Sequence, residues 1–221
     1  MWNWYMEKDI KLFYHAYLIN NYKDIITEQL TNIFNSGLYK YCQEFHIGIV
    51  GGEEEKKWII NLVGKYSKIK LHFFDNGDEK HTLRLIPLII KPNDYVLYFH
   101  TKGITHNSIS QNLWRRLVQY KVIYEWKKCI EILHEYDSVG PLYREDTFLG
   151  YFPHFSGNFW WSKYKHIMSL DNSYLDENYI HKRMGAEFWI GSNPNAKLKC
   201  IHTFVAEVDI KEYTINEYIY E

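Results

Sequence analysis

At 221 residues, of which 46% are hydrophobic, the chain is long enough to bury a substantial core, and this composition excludes an intrinsically disordered protein. Its 26 Lys and Arg residues offset 27 Asp and Glu residues, which leaves a formal net charge of -1. Since no field of the whole chain attracts nucleic acid or an anionic membrane, we predict no nucleic-acid partner.

The cysteines and the N-terminus both predict a cytoplasmic protein. Cys42, Cys129 and Cys200 are far apart and lack metal-ligand spacing, which is typical of buried thiols in a reducing compartment. The first residues, MWNWYMEKD, have neither the basic start nor the apolar run of a signal peptide. No apolar stretch is long enough to span a bilayer, so we predict no integral membrane segment.

Aromatic residues make up 18% of the chain, with 20 Tyr and 8 Trp. Trp and Tyr combine an apolar face with a polar group, which suits them to the C–H faces and hydroxyls of sugar rings. Core packing uses the same residues, so the composition leaves both interpretations open.

The first half of the chain alternates between strand and helix patterns. Predicted strands run from Lys11 to Tyr17, Phe45 to Val50 and Ile69 to Phe74, and predicted helices start at Asn20 or Asn21, run from Glu53 to Tyr66 and run from Glu79 to Ile90. Strands separated by helices favour a mainly parallel sheet flanked by helices.

The segment NDYVLYFHTKGIT, residues 93–105, is the strongest candidate for a functional strand end. An apolar strand from Tyr95 to Phe99 delivers His100, Thr101 and Lys102 to a turn at Gly103. Ligands of open α/β sheets bind at the carboxyl ends of strands, and an ammonium beside a glycine turn suits phosphates. An ordinary strand ending in a turn is the alternative.

Two earlier strand ends are weaker candidates. Gly51 and Gly52 follow the strand that ends at Val50, but they lack the G-x-G-x-x-G pattern and precede three glutamates that would repel a pyrophosphate. Asp75 and Asn76 follow the next strand. A carboxylate there can accept bonds from a ribose or a base, although Asp-Asn-Gly-Asp is also an ordinary turn sequence.

A long helix is predicted after the Gly103 turn. Ser108 and Gln111 have the spacing of a capping box, and an apolar stripe from Trp114 to Leu133 predicts a buried face. Arg115 lies near the start of this helix, where its guanidinium could reach a phosphate or carboxylate; a solvated helix face is the alternative.

The second half carries two further candidate segments. A strand is predicted from Ser138 to Leu142, and the sequence HFSGNFWWSKY follows from His154. Its three adjacent aromatics fit neither a helix face nor a half-exposed strand, which favours a pocket-lining role for some of them. Glu187 follows a small-residue turn, where it is either a catalytic carboxylate or a surface or structural acid.

Six segments, in this order, resemble a family of small glycosyltransferases of large DNA viruses and bacterial polysaccharide clusters. They are YHAYLINNY, SGLY, IGIVG, LYFHTKG, NLWRR and SGNFWW, from Tyr14 to Trp161, and the pair LYFHTKG and SGNFWW is the most specific part. The family includes a chlorella-virus rhamnosyltransferase domain with a GT-A-type fold. The resemblance implies a cytoplasmic enzyme, of the host cell if the protein is viral.

The resemblance implies a single GT-A-like domain with two functional halves. Residues 10–105 would bind the nucleotide sugar, residues 106–200 the acceptor, and residues 201–221 would form a covering segment. Nucleotide-sugar contacts are implied for Val50, Gly51, Asp75, Asn76, Thr101, Gly103 and Arg115. Acceptor contacts are implied for Gly157, Asn158, Trp160 and Trp161. Catalytic roles are implied for His100, Lys102 and Glu187.

The sequence departs from the family pattern at the metal site. GT-A enzymes usually hold Mn²⁺ or Mg²⁺ with Asp-x-Asp, and no such motif occurs in this chain. Lys102 could donate to the leaving diphosphate in place of the ion, or His100 could hold a metal with Asp75 or Asp78.

We therefore predict a glycosyltransferase that uses a nucleotide-diphosphate sugar, UDP-linked, and a glycan acceptor. In an inverting enzyme Glu187 would be the base that deprotonates the acceptor hydroxyl, and in a retaining enzyme it would orient the donor or the acceptor; the sequence leaves the stereochemistry open. The alternatives are a sugar nucleotidyltransferase, which would consume a nucleoside triphosphate with acidic metal ligands, and a glycan-binding domain that has lost catalysis.

Overall fold

The structure is a computed structural model that describes residues 9–105, 108–145, 152–180 and 184–203. Nine strands occur in these ranges: β1 (Ile10–Tyr17), β2 (Glu44–Val50), β3 (Ile69–Phe74), β4 (Tyr95–His100), β5 (Ser138–Gly140), β6 (Tyr143–Arg144), β7 (His154–Phe155), β8 (Trp160–Lys163) and β9 (Leu198–Cys200). The α-helices there are α1 (Tyr22–Asn35), α2 (Leu38–Tyr41), α3 (Glu53–Val63), α4 (Lys80–Ile89), α5 (Ile109–Gln119), α6 (Trp126–Ile132), α7 (Tyr164–Ile167) and α8 (Met184–Phe188).

Seven of these strands form one sheet in the order β3-β2-β1-β4-β8-β5-β9, and β6 and β7 form a separate antiparallel pair. β1 pairs in parallel with β2 on one side and with β4 on the other. β8 runs antiparallel to β4 and β5, which makes the sheet mixed. The predicted α/β class, with a mainly parallel central sheet flanked by helices, is confirmed.

Side chains from β1 divide between two hydrophobic cores because successive residues of a strand point to opposite faces. Leu12 and Tyr14 belong to a core that includes residues of α1, α3, α5 and α6. Phe13 belongs to the other core, with residues of α4, α7 and α8. Most of the bulky aromatics serve this packing, since Trp126, Trp160, Trp161 and Trp189 are all fully buried. Aromatic richness is therefore mainly a property of the core.

Several predicted elements differ from the observed ones. The helix predicted from Ser108 to Leu133 is interrupted, because a π-helical turn at Tyr120–Tyr124 separates α5 from α6. The Ser108 cap is confirmed, since its Oγ accepts a hydrogen bond from the Gln111 amide over 3.2 Å. The strand predicted to reach Leu142 ends at Gly140, and Leu142 has a positive φ of 57°, which is incompatible with a strand.

Two other sequence predictions bear on this structure. The three cysteines are unpaired, with Cys42 and Cys129 buried and Cys200 half-buried. None of the helices in the described ranges is long and apolar enough to cross a membrane. The predicted covering segment lies outside the described residues from residue 204 onwards.

A glycine in β2 brings α4 close to the sheet. A Cβ atom at Gly48 would lie 1.9 Å from Oγ1 of Thr82 on α4 and 3.1 Å from the Phe74 ring. The same Thr82 hydroxyl is 2.9 Å from Nδ1 of His15, the residue opposite Gly48 on β1. The missing side chain at Gly48 thus lets α4 contact the carboxyl-terminal half of β1.

We expect Gly48→Ala to lower the free energy of unfolding by about 1–3 kcal/mol, because the added methyl group overpacks the β2 and α4 contact. Urea denaturation measures this loss. The penalty should shrink in a Thr82→Ala background, where the closest clashing atom is absent. A Gly48→Ala protein as stable as the wild type, or equal penalties in both backgrounds, would contradict this account of the contact.

Candidate active site

An open cleft of about 360 Å³ lies where β1 and β4 end. The chain leaves β1, forms β2 and β3 on one side, and returns to form β4 on the other side. In open α/β sheets such a reversal of strand order opens a crevice at the carboxyl ends, where ligands bind. The residues around it are His15, Tyr17, Gly77, Asp78, Glu79, His100, Thr101, Lys102, Gly103, Ile104, Thr105, Gln111, Trp114 and Glu187.

The turn after β4 is attached to the end of β1. The Thr101 amide donates to the His15 carbonyl over 3.0 Å, and the Tyr17 amide donates to Thr101 Oγ1 over 3.0 Å. Gly103 has a φ of 80°, in the left-handed region that favours glycine, and this conformation completes the turn. The predicted placement of His100, Thr101 and Lys102 at a strand end is therefore confirmed. Thr101 is buried, and its oxygen helps hold the strands together.

Lys102 supplies a cation to this cleft. Its Nζ lies 3.7 Å from the centroid of the Trp114 ring, close enough for a cation–π interaction. The side chain is largely buried and runs past Gly157, where a Cβ atom would lie 3.0 Å from Lys102 Cε. Packing against Trp114 and Gly157 therefore restricts where the ammonium can be.

Glu79 supplies a buried carboxylate just before α4. Its Oε2 accepts hydrogen bonds from the Tyr98 hydroxyl and from Nδ2 of Asn158, each over 2.9 Å. Burial raises the pKa of Glu79, but attraction to His100 and His15 in their protonated forms and these two hydrogen bonds outweigh it, so the pKa is lowered. The carboxylate is therefore ionised at neutral pH.

Two histidines flank this carboxylate. His15 and His100 occupy opposite positions in the β1 and β4 pairing. Nε2 of His100 is 2.9 Å from the Gly157 carbonyl and must donate to it, while Nδ1 is 4.0 Å from Glu79 Oε2. Burial lowers the pKa of His100 despite the attraction of Glu79, and it lowers the pKa of His15 to about 3. Both rings are therefore neutral at pH 7.

Glu187 is the more accessible carboxylate of the cleft. Its side chain is 24% exposed, and its Oε2 lies 3.4 Å from the Gly157 amide nitrogen and 3.9 Å from Nε2 of His154. Gly157 lies between two cleft residues, because its amide faces Glu187 and its carbonyl accepts a hydrogen bond from His100. Burial lowers the pKa of His154, although the Phe152 carbonyl and Glu187 both act to raise it. Glu187 can thus reach a bound molecule without first breaking a short internal bond.

Arg115 does not face the cleft. It is 3% exposed, and its guanidinium contacts Glu28 at 3.3 Å and Oδ1 of Asn112 at 2.6 Å. Glu28 also contacts Arg116 and Gln119. The nucleotide contact predicted at Arg115 thus falls on a guanidinium that is buried in an ion pair between α1 and α5.

The predicted contacts at β2 and β3 lie outside the cleft lining. The Val50 carbonyl accepts a hydrogen bond from the Leu18 amide over 2.8 Å, and Gly51 lies against the Leu18 side chain. Asp75 and Asn76 are exposed in the turn after β3. Within this turn, Gly77 and Asp78 reach the cleft.

Acceptor contacts are predicted at Asn158, Trp160 and Trp161. All three side chains are fully buried. Oδ1 of Asn158 accepts from the Trp160 indole over 2.8 Å, and the Trp161 indole donates to the Val122 carbonyl over 2.8 Å. Neither tryptophan presents a ring face to a sugar. The three adjacent aromatics are unusual because β8 lies inside the sheet and is buried on both faces.

The cleft does not fit the usual carboxylate clamp for a divalent cation. Across the described residues, no three or more His, Cys, Asp or Glu side chains form a group that could hold a metal ion. Of the sequence candidates, Asp78 lines the cleft with His100, but its Oδ1 accepts from the Lys80 amide over 2.9 Å, and Asp75 lies apart.

Sequence reasoning missed Glu79, His15 and the ring of Trp114. The sequence predicts Glu79 as the first residue of a helix and His15 as part of a short strand. Parallel strands end at the same edge of a sheet, so a strand beside β4 also ends near the cleft. This rule could have indicated His15, near the end of β1. The contact between Lys102 and Trp114 joins residues that the sequence separates by a turn, so no periodicity indicates it.

A family model described as a domain of unknown function, DUF8361, matches residues 13–184, which include most of these cleft residues. The chain belongs to the DUF8361 family. No curated protein matches the sequence.

The DUF8361 chain has low similarity to two solved structures. One is a 4-diphosphocytidyl-2C-methyl-D-erythritol synthase from Anaerococcus prevotii DSM 20548, with 14% identity and a TM-score of 0.49 over 93% of this chain and 96% of the other. The second is a putative nucleotide-diphospho-sugar transferase from Desulfovibrio desulfuricans G20, with 10% identity and a TM-score of 0.48 over 88% and 80%.

The neutral state of His15 predicts how stability depends on pH. An unfolded histidine titrates near pH 6.5, whereas the pKa of folded His15 is about 3. Between these values the unfolded chain binds a proton that the folded protein does not. The free energy of unfolding therefore falls as the pH decreases, by about 1.4 kcal/mol per pH unit for this group.

We expect His15→Asn to remove most of this contribution, which corresponds to about one bound proton. The free energy of unfolding should then depend less on pH between about pH 6 and about pH 4. The asparagine amide can keep the bond to Thr82 without titrating. Urea denaturation at several pH values measures the slope, and His134→Asn, at an exposed histidine, is the matched control. Identical slopes for His15→Asn and the wild type would contradict the neutral state of His15.

Proposed function

We propose that this DUF8361 protein is a glycosyltransferase that moves a sugar from a UDP-linked donor to a hydroxyl of a glycan. The observation that supports it best is the cleft between β1 and β4, which combines an ammonium, Lys102, with three carboxylates, those of Asp78, Glu79 and Glu187. A nucleotide-sugar donor is anionic at the diphosphate and rich in hydroxyls at the sugar. The proposal assigns Lys102 to the diphosphate, and it assigns Glu79 and Glu187 to hydroxyl groups.

Lys102 would stabilise the diphosphate as it leaves. Negative charge on the leaving oxygen grows in the transition state, and a positioned donor there lowers the barrier. The Trp114 face and Gly157 hold the ammonium in a partly desolvated position, where its charge is screened less than at an open surface. Backbone at Gly103 can approach the same phosphates closely because the residue has no side chain.

Glu187 would act on the acceptor as the general base. It is more exposed than Glu79, and its contact with the Gly157 amide, at 3.4 Å, is long. Glu79 is less suited to this role because two donors already hold its Oε2. The exposed Asp75 and Asn76 of the turn after β3 are proposed to contact the nucleoside.

Product analysis tests the proposed reaction. The protein is incubated with UDP-sugars and an oligosaccharide mixture, and with nucleoside triphosphates and sugar phosphates in a parallel reaction. Release of UDP with a glycosylated oligosaccharide supports the proposal. Pyrophosphate release in the second reaction would instead establish nucleotidyl transfer, and sugar binding without turnover of either donor would indicate a glycan-binding domain.

We expect Lys102→Ala to lower UDP release by about 10²-fold or more, as loss of a charge-stabilising donor typically does. Steady-state kinetics measure the change, with Lys57→Ala as a control because Lys57 is exposed on α3. Turnover by Lys102→Ala equal to that of the control would remove Lys102 from the site.

Glu187→Gln keeps the shape of the side chain and removes the base. We expect kcat to fall by about 10²–10⁴-fold, the usual contribution of general base catalysis, while donor affinity changes little. Glu177→Gln, at an exposed position, is the matched control. A normal kcat for Glu187→Gln would assign the base to another group.

A further inference from the structure

The two carboxylate oxygens of Glu79 have different surroundings. Oε2 accepts the hydrogen bonds from Tyr98 and Asn158. Oε1 accepts none from the part of the chain that the structure describes. It is also not one of the fully buried side-chain atoms that lack a partner there. Glu79 is one of the residues that line the cleft in which the donor would bind.

An ionised carboxylate can only accept hydrogen bonds, so the partner of Oε1 must be a donor such as a hydroxyl, an ammonium or water. Phosphate oxygens and carboxylates are excluded by charge. The neighbouring Lys80 is committed elsewhere, because its Nζ donates to the Asp176 carbonyl over 2.9 Å. The ammonium of Lys102 packs on the Trp114 ring and is assigned to the diphosphate in the proposed function.

We propose that Oε1 of Glu79 accepts a hydrogen bond from a hydroxyl of the transferred sugar, and that the donor sugar is therefore neutral. This inference rests on the proposed function and specifies its substrate class. Glu187 places a second negative charge in the same cleft, so a sugar that carries its own carboxylate is repelled from both sides.

A purely structural role would use Oε2 alone. Oε2 accepts hydrogen bonds from Tyr98 on β4 and from Asn158, and so it links these two residues. The Asn158 amide also donates to the Ala186 carbonyl over 3.2 Å. In a Glu79→Gln variant, the same two donors keep the amide oxygen at the Oε2 position. The amide nitrogen then faces the cleft and cannot accept a hydroxyl proton.

Isothermal titration with UDP and with neutral UDP-sugars separates the two roles. The neutral probes are UDP-glucose, UDP-galactose, UDP-N-acetylglucosamine and UDP-rhamnose. We expect at least one of them to bind the wild type about tenfold or more tightly than UDP, because a hydrogen bond to a charged group contributes at least this factor. Glu79→Gln should lose most of this gain and keep the affinity for UDP. Glu135→Gln, at an exposed position, should behave as the wild type.

UDP-glucuronate gives a second measurement that needs no variant. We expect the wild type to bind it at least about tenfold more weakly than the best neutral UDP-sugar, because like charges repel in a partly desolvated cleft. This comparison decides the inference if Glu79→Gln does not fold.

The outcomes distinguish the inference from the proposed function. If neither UDP nor any UDP-sugar binds, the proposed UDP-sugar transferase is overturned and this inference with it. If UDP binds but no neutral sugar adds affinity, the inference alone fails. It also fails if Glu79→Gln keeps the full gain or if UDP-glucuronate binds as tightly as the neutral sugars.

Discussion

The candidate site depends on one buried carboxylate and the groups that satisfy it. An ionised side chain that is only 7% exposed is costly unless donors surround it, and Glu79 receives them from Tyr98 on β4 and from Asn158 before β8. Through Asn158 the same network reaches the Trp160 indole in the core. The cleft wall is therefore fixed by the packing of the central sheet.

The sheet order explains why this network lies beside an open space. β1 pairs with β2 on one side and with β4 on the other. After β1 the chain continues on the β2 side, away from β4. The Thr101 bonds to His15 and Tyr17 keep these two strand ends together. The result is a cleft lined by polar residues at the joined ends of two strands.

Periodicity and turn chemistry predicted the elements of this fold well. The strands of the first half were located to within one residue because buried runs such as FHIGIV and YVLYFH are bounded by clear turns. The polar end of β4 was predicted for the same reason. The break between α5 and α6 was not, because the apolar stripe from Trp114 to Leu133 continues across the π-helical turn.

The site residues were harder to predict because their roles depend on burial and on distant partners. Trp160 and Trp161 look suited to sugar binding in the sequence, but β8 lies between two other strands and both rings are in the core. Arg115 appears free beside the turn until Glu28, far away in the sequence, is found to pair with it. Glu79 gave no signal because its donors come from two other segments.

The most direct test of the proposed function is a crystal structure of the protein with bound UDP. The account predicts density in the cleft between β1 and β4, with a diphosphate oxygen within hydrogen-bonding distance of Lys102 Nζ. A nucleotide bound at another surface, or bound in the cleft with its diphosphate away from Lys102, would contradict the account.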